Sequence, residues 1–171
     1  MTFAAEETFM LEGIGIPDTR LAREITQFVR DTESGLLFHH SSRVYYWGAL
    51  AGKRRGLKFD HELLYAGAMF HDMGIPQHMH PVVALVTAGV EMDVLGLTYG
   101  EYSDAEREAV VHAHPRSQLF KEDIIQAFYD GIKHKPDTTF GNVKADVLAD
   151  KDPAFRRGNF CSVIRGSAWR G

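Results

Sequence analysis

The feature that most constrains this chain is an apolar run, residues 63–70, that ends in the adjacent pair His71-Asp72. An apolar segment of this length is expected inside a fold, whereas an imidazole and a carboxylate are costly to bury without partners. Other segments must therefore supply those partners. Neutral imidazole and carboxylate are also ligand types that divalent metals favour, so the pair predicts a metal site to which other helices contribute.

Length and composition limit the classes of protein to consider. The 171 residues fit one domain with a sizeable core, and a hydrophobic content of 44% is that of an ordinary globular protein. The net charge of −4 argues against a nucleic-acid partner, because such partners select a basic face. Residues 1–11 lack a signal-peptide pattern, and no apolar run reaches the length of a membrane span. We therefore expect a cytoplasmic protein with no membrane partner.

Helical periodicity and capping residues predict an all-α fold of about five to seven helices, with no strand. Asp18 or Thr19 caps the first helix, Asp60 caps the third, and Ser103 with Glu106 forms a capping box at the start of the fifth. The later predicted helices cover, in order, residues 36–53, 60–74, 82–95, 103–114, 121–134 and 143–148.

Three regions follow from these helices. We expect residues 1–16 to be a loose lead-in, 17–152 to be one helical domain, and 153–171 to be an irregular tail that packs on the domain. Phe155, Phe160 and Trp169 are the predicted anchors of that tail. Pro81 suits the first position of the fourth helix, and Gly96 suits its end.

Four residues fall where helices bring them together. His40 lies on the apolar stripe of the second helix, His71 and Asp72 end the third, and Asp93 lies in the otherwise apolar fourth. Each alone has an ordinary explanation, because a lone helical histidine is more often a core or surface residue than a ligand. Together they predict a shell of two histidines and two carboxylates, with positions open to water or substrate.

The motifs around these residues extend the pattern along most of the chain. They are the segments 37–44, 54–74 and 88–96, followed by 134–141 and 155–161. In this order the segments resemble the HD-domain superfamily of metal-dependent phosphohydrolases, and within it the branch similar to cyanamide hydratase. The pattern of that family is a histidine, a His-Asp doublet and a later aspartate, all on helices around a metal.

The resemblance implies an HD-domain-like helical bundle and an enzyme. One divalent metal ion (iron, manganese or zinc) is held by His40, His71, Asp72 and Asp93, and the metal presents water to a small-molecule substrate. Hydration of a nitrile such as cyanamide is favoured slightly over hydrolysis of a phosphate ester, because the chain lacks a basic phosphate cradle. The expected class is thus a metal-dependent hydrolase or hydro-lyase.

Two basic residues join His71 and Asp72 as catalytic candidates. Arg43 follows His40 by one helical turn and points to a similar side. It can hold a substrate anion, or it can pair with one of the predicted carboxylates. Lys58 precedes the doublet helix, where it can reach the mouth of a pocket or remain solvated.

The connector after the doublet is short. Only 20 residues, 73–92, separate Asp72 from Asp93, whereas the resemblance implies several dozen, including a further histidine near the site. His78 and His80 in this connector either replace that histidine or are exposed loop residues. Two alternatives therefore stand beside the enzyme: a catalytically impaired HD scaffold that binds a ligand or a partner, and a helical homodimer that covers apolar surface.

Other notable residues receive structural roles. Trp47 is expected in the core rather than as a platform for substrate. His112 and His114 are two positions apart, so they do not face each other on a helix, and we assign them no metal. Cys161, the single cysteine, is expected to be inert because no base lies beside it in the sequence.

Overall fold

In the computed structural model, the described residues are 9–71, 81–132, 134, 151–156 and 158–170. They form seven α-helices and one short hairpin, which confirms the predicted all-α class. No described helix is both long enough and apolar enough to cross a membrane. The elements are β1 Met10–Leu11, β2 Ile14–Gly15, α1 Arg20–Thr32, α2 Gly35–Arg54, α3 His61–Met69, α4 Pro81–Val90, α5 Asp104–Ala113, α6 Phe120–Ile132 and α7 Phe160–Arg165.

The predicted helix starts are confirmed by side-chain caps. Thr19, rather than Asp18, accepts a hydrogen bond from the amide of Ala22 at the start of α1. Asp60 caps α3, and both halves of the capping box between Ser103 and Glu106 form at α5. Each cap satisfies amide groups that the first helical turn leaves without partners. The predicted helix over residues 143–148 lies outside the described residues.

The long helix α2 is the centre of the fold. Every residue from His40 to Gly52 is buried, so all sides of this part of the helix are covered by other elements. Helix α4 lies directly against it at two glycines. A Cβ atom on Gly89 would lie 2.2 Å from the carbonyl oxygen of Val44, and one on Gly48 would lie 2.6 Å from that of Leu85. The two backbones therefore touch, and only glycine fits at these positions.

Helix α4 continues into a π-helical turn, Glu91–Leu95, which ends at Gly96 in the left-handed conformation with φ of 64°. The predicted stop at Gly96 is confirmed, whereas the widened turn was not predicted. Three consecutive side chains in this turn, those of Met92, Asp93 and Val94, are all buried. The turn thus places a charged side chain inside the bundle, and π turns of this kind occur frequently at functional sites.

The predicted end of helix α3 is wrong in detail. Helix α3 ends at Met69 rather than at Gly74, and Phe70 leaves the helical conformation with its amide bonded to the carbonyl of Ala66. His71 follows outside the α-helix. Its Nδ1 lies 2.6 Å from the carbonyl oxygen of Ala68, one of the acceptors that the end of a helix leaves without an amide partner.

Residues 10–15 and 160–165 form regular elements that were not predicted. Residues 10–15 form an antiparallel hairpin rather than a loose lead-in, with positive φ at its turn residues Glu12 and Gly13. The hydroxyl of Tyr45 donates to the carbonyl of Gly15 and holds this hairpin on α2. The predicted irregular tail contains α7, and Trp169 behind it is a buried anchor that donates to the carbonyl of Met92. Phe160, another predicted anchor, is 51% exposed.

We expect Gly89→Ala to destabilise the protein by roughly 1–3 kcal/mol, because the added methyl group forces α4 away from α2. The measurement is the free energy of unfolding from urea titration. Gly131→Ala is the matched control in α6, where nothing lies within 4 Å of the added Cβ. This control should be stabilised by about 0.5–1 kcal/mol through helix propensity. Equal behaviour of the two variants would contradict the close helix contact.

Candidate functional site

The carboxylate of Asp93 is the centre of a buried polar cluster. Its Oδ1 accepts hydrogen bonds from Nε of Arg43 at 2.8 Å, from Nη1 of Arg116 at 3.0 Å and from Nε1 of Trp47 at 3.3 Å. Its Oδ2 accepts from Nδ1 of His40 at 2.6 Å and from Nη2 of Arg43 at 3.0 Å. A carboxylate offers about four lone-pair directions. These five donors therefore leave no direction of Asp93 free.

The charges of this cluster determine the ionisation of Asp93. Burial alone raises the pKa of its carboxyl group, but the guanidinium groups of Arg43 and Arg116 and the bond from His40 outweigh burial. The pKa of Asp93 is consequently held well below its usual range. One carboxylate then faces two guanidinium groups, so the cluster carries an excess of one positive charge when His40 is neutral. Buried charges need partners, and this excess has none within the cluster.

His40 and His71 approach each other at the edge of this cluster, and we call them the histidine pair. Their Nε2 atoms lie 3.2 Å apart, and their rings meet edge to face with centroids 5.0 Å apart. His40 is fully buried, whereas His71 is partly exposed. The pair therefore lies at the border between the core and the surface.

The hydrogen bonds of the histidine pair fix where its protons are. The carbonyl oxygen of Ala68 can only accept, so Nδ1 of His71 carries the proton of that bond. Asp93 is ionised, so Nδ1 of His40 likewise donates to it. With the proton on Nδ1, each neutral ring presents Nε2 as an acceptor, and the two acceptors lie 3.2 Å apart. A proton or a metal cation between the two nitrogens would make this arrangement favourable.

The other predicted site residues fall in different places. Arg43 takes the pairing role, since Nε and Nη2 bind Asp93 while Nη1 donates to the carbonyls of His114 and Pro115. Lys58 lies in the loop before α3 and is exposed. Trp47 is in the core, as expected, and is fully buried. Three predicted residues, Asp72, His78 and His80, lie outside the described residues.

Sequence reasoning missed Arg116. This residue follows Pro115 in a loop, and no periodicity connects it with α4. Its guanidinium nevertheless reaches both the carboxylate and the backbone carbonyl of Asp93. The rings of Phe120 and Trp169 lie 3.7 and 4.6 Å from the guanidinium, which adds cation–π contacts. Only the packing of the loop and the C-terminal segment against the π turn reveals this role.

A second pair of histidines, His39 and His114, lies near Arg43. Their ring centroids are 5.9 Å apart. Neither nitrogen of His114 has a hydrogen-bond partner among the described residues, and its ring packs against those of Phe9 and Tyr46. Burial, followed by the charges of neighbouring basic groups, lowers the pKa of His114 to about 4. His114 is therefore neutral in the folded protein at neutral pH.

Comparisons with protein-family models, with curated proteins and with solved structures found no match to this chain. The resemblance to the HD-domain superfamily therefore stays a hypothesis that rests on the residues of this chain. A functional proposal therefore depends on the geometry of the histidine pair and of the Asp93 cluster.

Asp93→Asn tests the buried cluster. Removing the negative charge leaves Arg43 and Arg116 buried against a neutral amide, so we expect a loss of roughly 3–5 kcal/mol in the free energy of unfolding. Urea titration followed by circular dichroism measures it. Asp18→Asn is the control, because Asp18 pairs with Arg23 at the exposed surface. This control should leave the unfolding midpoint unchanged, and a similar small effect of Asp93→Asn would contradict the central role of the carboxylate.

His114 makes a predicted contribution to acid sensitivity. Its pKa is about 4 in the folded state, lowered by burial and then by His39, Arg43 and Arg30 against an opposing effect of Asp93, and its ordinary value is 6.5. The unfolded chain therefore binds the proton first, and stability present above pH 6.5 is lost as the pH falls toward 4. Between pH 7.5 and pH 5 we expect a loss of about 2 kcal/mol from this residue.

The measurement is the free energy of unfolding at both pH values for the wild type and for His114→Phe, which keeps a ring against Phe9 and Tyr46. The difference between pH 7.5 and pH 5 should be smaller in His114→Phe by that amount. His112→Gln, at an exposed position of α5, is the control and should behave as the wild type. An unchanged pH dependence in His114→Phe would show that His114 titrates normally.

Proposed function

We propose that this chain is a metal-dependent hydrolase or hydratase of the HD-domain type. One divalent cation would be held by His40, His71 and the carboxylate of Asp72, the residue next to His71 in the sequence. The observation that carries the proposal is the 3.2 Å separation between the two Nε2 atoms, with both Nδ1 protons bound by oxygen acceptors.

The histidine pair fits a metal in both spacing and support. Two Nε2 ligands at ~2.0–2.1 Å from one tetrahedral cation are about 3.3 Å apart, close to the separation seen between His40 and His71. Metal-binding histidines commonly donate their other ring nitrogen to a carboxylate or a backbone carbonyl. His40 donates to Asp93 and His71 donates to Ala68 in this manner.

The charge balance supports Asp72 as a ligand. A cation beside the Asp93 cluster adds to an excess of positive charge, so it needs a further carboxylate for compensation. Asp72 can provide this carboxylate by its position in the sequence. Asp93, the fourth ligand of the sequence-based hypothesis, has its lone pairs taken by five donors. Its geometry supports a different role, in which it orients His40 and fixes the tautomer of the ring.

The surroundings of the histidine pair support a small neutral substrate. A bound divalent cation supplies Lewis acidity, which polarises a substrate atom and acidifies water. Arg43 is the cationic side chain one turn from His40, and each of its guanidinium nitrogens already donates within the protein. It is therefore not available for a substrate phosphate. This supports hydration of a nitrile such as cyanamide over hydrolysis of a phosphate ester, and it makes Arg43 a positioning residue.

A second function is that of an impaired HD scaffold that binds a ligand or a partner. It is favoured by the same 3.2 Å contact between the two Nε2 atoms, because a metal is not required to explain that contact. A single proton shared between the two Nε2 atoms also satisfies both lone pairs. In this alternative the histidine pair is a structural hydrogen bond, and the chain has no catalytic role.

Metal content separates the two functions. We expect about one equivalent of divalent metal per chain in the wild type, and a loss of most of it in His71→Ala, because two-point attachment is lost. His71 is partly exposed, so this variant should fold, which circular dichroism checks. His112→Ala, at an exposed position of α5, is the matched control and should keep its metal. Cobalt-substituted wild type should show visible absorption that is absent in His71→Ala.

Equal metal content in the wild type and His71→Ala would place the metal elsewhere, and wild type without metal would leave the scaffold as the function. Activity is measured separately on the metal-loaded protein, as urea formed from cyanamide and as phosphate released from p-nitrophenyl phosphate. We expect urea. Phosphate without urea would replace the nitrile proposal, and neither product from a metal-loaded protein would favour the scaffold.

A further inference from the structure

A groove of about 710 Å³ lies between α5, the loop after it and the C-terminal segment. Its lining includes three arginines, Arg107, Arg116 and Arg170, and the ring of Trp169, but neither histidine of the pair. The groove is therefore separate from the proposed metal site. Three arginine residues around one cavity favour a negatively charged ligand.

Arg116 is the informative residue of this groove. Its side chain is only 5% exposed, and Nη1 donates to the backbone oxygen of Asp93 at 2.8 Å and to its Oδ1 at 3.0 Å. Nε and Nη2 are buried and have no hydrogen-bond partner among the described residues. These two nitrogens share one edge of the guanidinium plane. Arg116 thus binds the protein with one nitrogen and leaves a two-pronged edge without an acceptor.

Buried donors without acceptors are costly, and a charged group makes the cost larger. Burial without full pairing lowers the pKa of Arg116 to about 10, although Asp93 opposes that shift. Arg116 therefore stays charged at neutral pH. The cluster of Asp93, Arg43 and Arg116 already has one positive charge in excess. Both the missing acceptors and the excess charge would be satisfied by one bound anion.

The same molecule shows which anion such an edge accepts. Arg43 uses its own Nε and Nη2 to hold the two oxygens of Asp93, at 2.8 and 3.0 Å. A guanidinium edge in this geometry matches two oxygens of one carboxylate or phosphate group. The edge of Arg116 has almost no accessible surface, although the residue lines the groove. It therefore meets an anion in the groove only when the side chain turns toward it.

The other arginines of the groove add a positive rim. Arg107 donates to the backbone oxygens of Tyr99 and Tyr102 and pairs with Asp104, which also lines the groove. Arg170 is exposed at the rim. Arg107 and Asp104 offset each other, so Arg116 and Arg170 leave the groove with more positive than negative charge, even with exposed Glu108 counted.

We propose that this groove is a binding site for a small oxyanion, either a carboxylate or a phosphate group. Nε and Nη2 of Arg116 hold the anion once that side chain turns toward the groove, and Arg170 lies at the entrance. The anion is bound and not transformed. The proposal rests on the unpaired edge of Arg116 and on the charge of the groove. It does not depend on a metal at the histidine pair, and it holds equally for an enzyme and for a scaffold.

The test uses the full-length protein and two probes, inorganic phosphate and acetate, each titrated at constant ionic strength against chloride. The readout is the Nε–H resonance of Arg116 in nitrogen-15 NMR spectra, assigned by its absence in Arg116→Lys. We expect a saturable shift of this resonance with at least one of the two probes. A saturable shift with phosphate alone identifies a phosphate site, and a saturable shift with acetate alone identifies a carboxylate site.

Variants separate this site from general charge effects, with the affinity measured by calorimetry. Arg116→Lys keeps the charge but loses the two-pronged edge, and we expect affinity about tenfold weaker. Arg170→Ala, at the exposed rim, should fold normally and weaken binding about threefold. Arg55→Ala, an exposed arginine at the end of α2, is the control and should bind as the wild type.

Three results would overturn the proposal: no saturable shift with either probe, a shift that chloride reproduces, or equal weakening by Arg170→Ala and Arg55→Ala. If Arg116→Lys fails to fold, the wild-type resonance and the pair of rim variants still decide the question. Failure of these titrations leaves the metal analysis of His71→Ala unaffected, so the two proposals stand or fall separately.

Discussion

The buried carboxylate of Asp93 is the interaction on which the rest of the structure depends. Helix α2 supplies three of its four donor residues, His40, Arg43 and Trp47, at spacings of three and four residues, so they share one face of the helix. That face reaches Asp93 because the α2 and α4 backbones touch at Gly48 and Gly89. The glycines and the polar cluster are thus parts of one arrangement, and a wider helix spacing would leave Asp93 buried without its donors.

Because every acceptor direction of the Asp93 carboxylate is taken by a hydrogen-bond donor, the neighbours of Asp93 have fixed positions. A carboxylate that already accepts from two arginines, a histidine and a tryptophan holds the ring of His40 in one orientation, with its second nitrogen facing His71. The sequence positions were sufficient to predict that His40, His71 and Asp93 come together. They were not sufficient to predict which atoms of Asp93 remain free, because that depends on Arg116, whose place in a loop follows from tertiary packing.

Helix starts and the fold class were predictable from sequence because capping side chains act over three residues, as at Asp60 and Ser103. The end of α3 was not predictable in this way. The chain leaves the helix at Phe70, and the side chain of His71 donates a hydrogen bond to the carbonyl of Ala68 near the helix end. The N-terminal hairpin was missed for a similar reason. It is held on α2 by contacts such as that of Tyr45, which lies thirty residues from its acceptor Gly15.

The two proposed sites share one carboxylate, since His40 bonds Oδ2 of Asp93 and Arg116 bonds Oδ1, and they have opposite preferences for charge. The excess positive charge of Arg43 and Arg116 makes a cation at the histidine pair less favourable, while it attracts an anion to Arg116. In a buried cluster these Coulomb interactions are screened less than at the surface. An anion bound at Arg116 would therefore lower the electrostatic cost of a cation at His40 and His71. By reciprocity a bound cation would increase the affinity for the anion by the same factor. Asp93 would thus couple two sites that share no ligand.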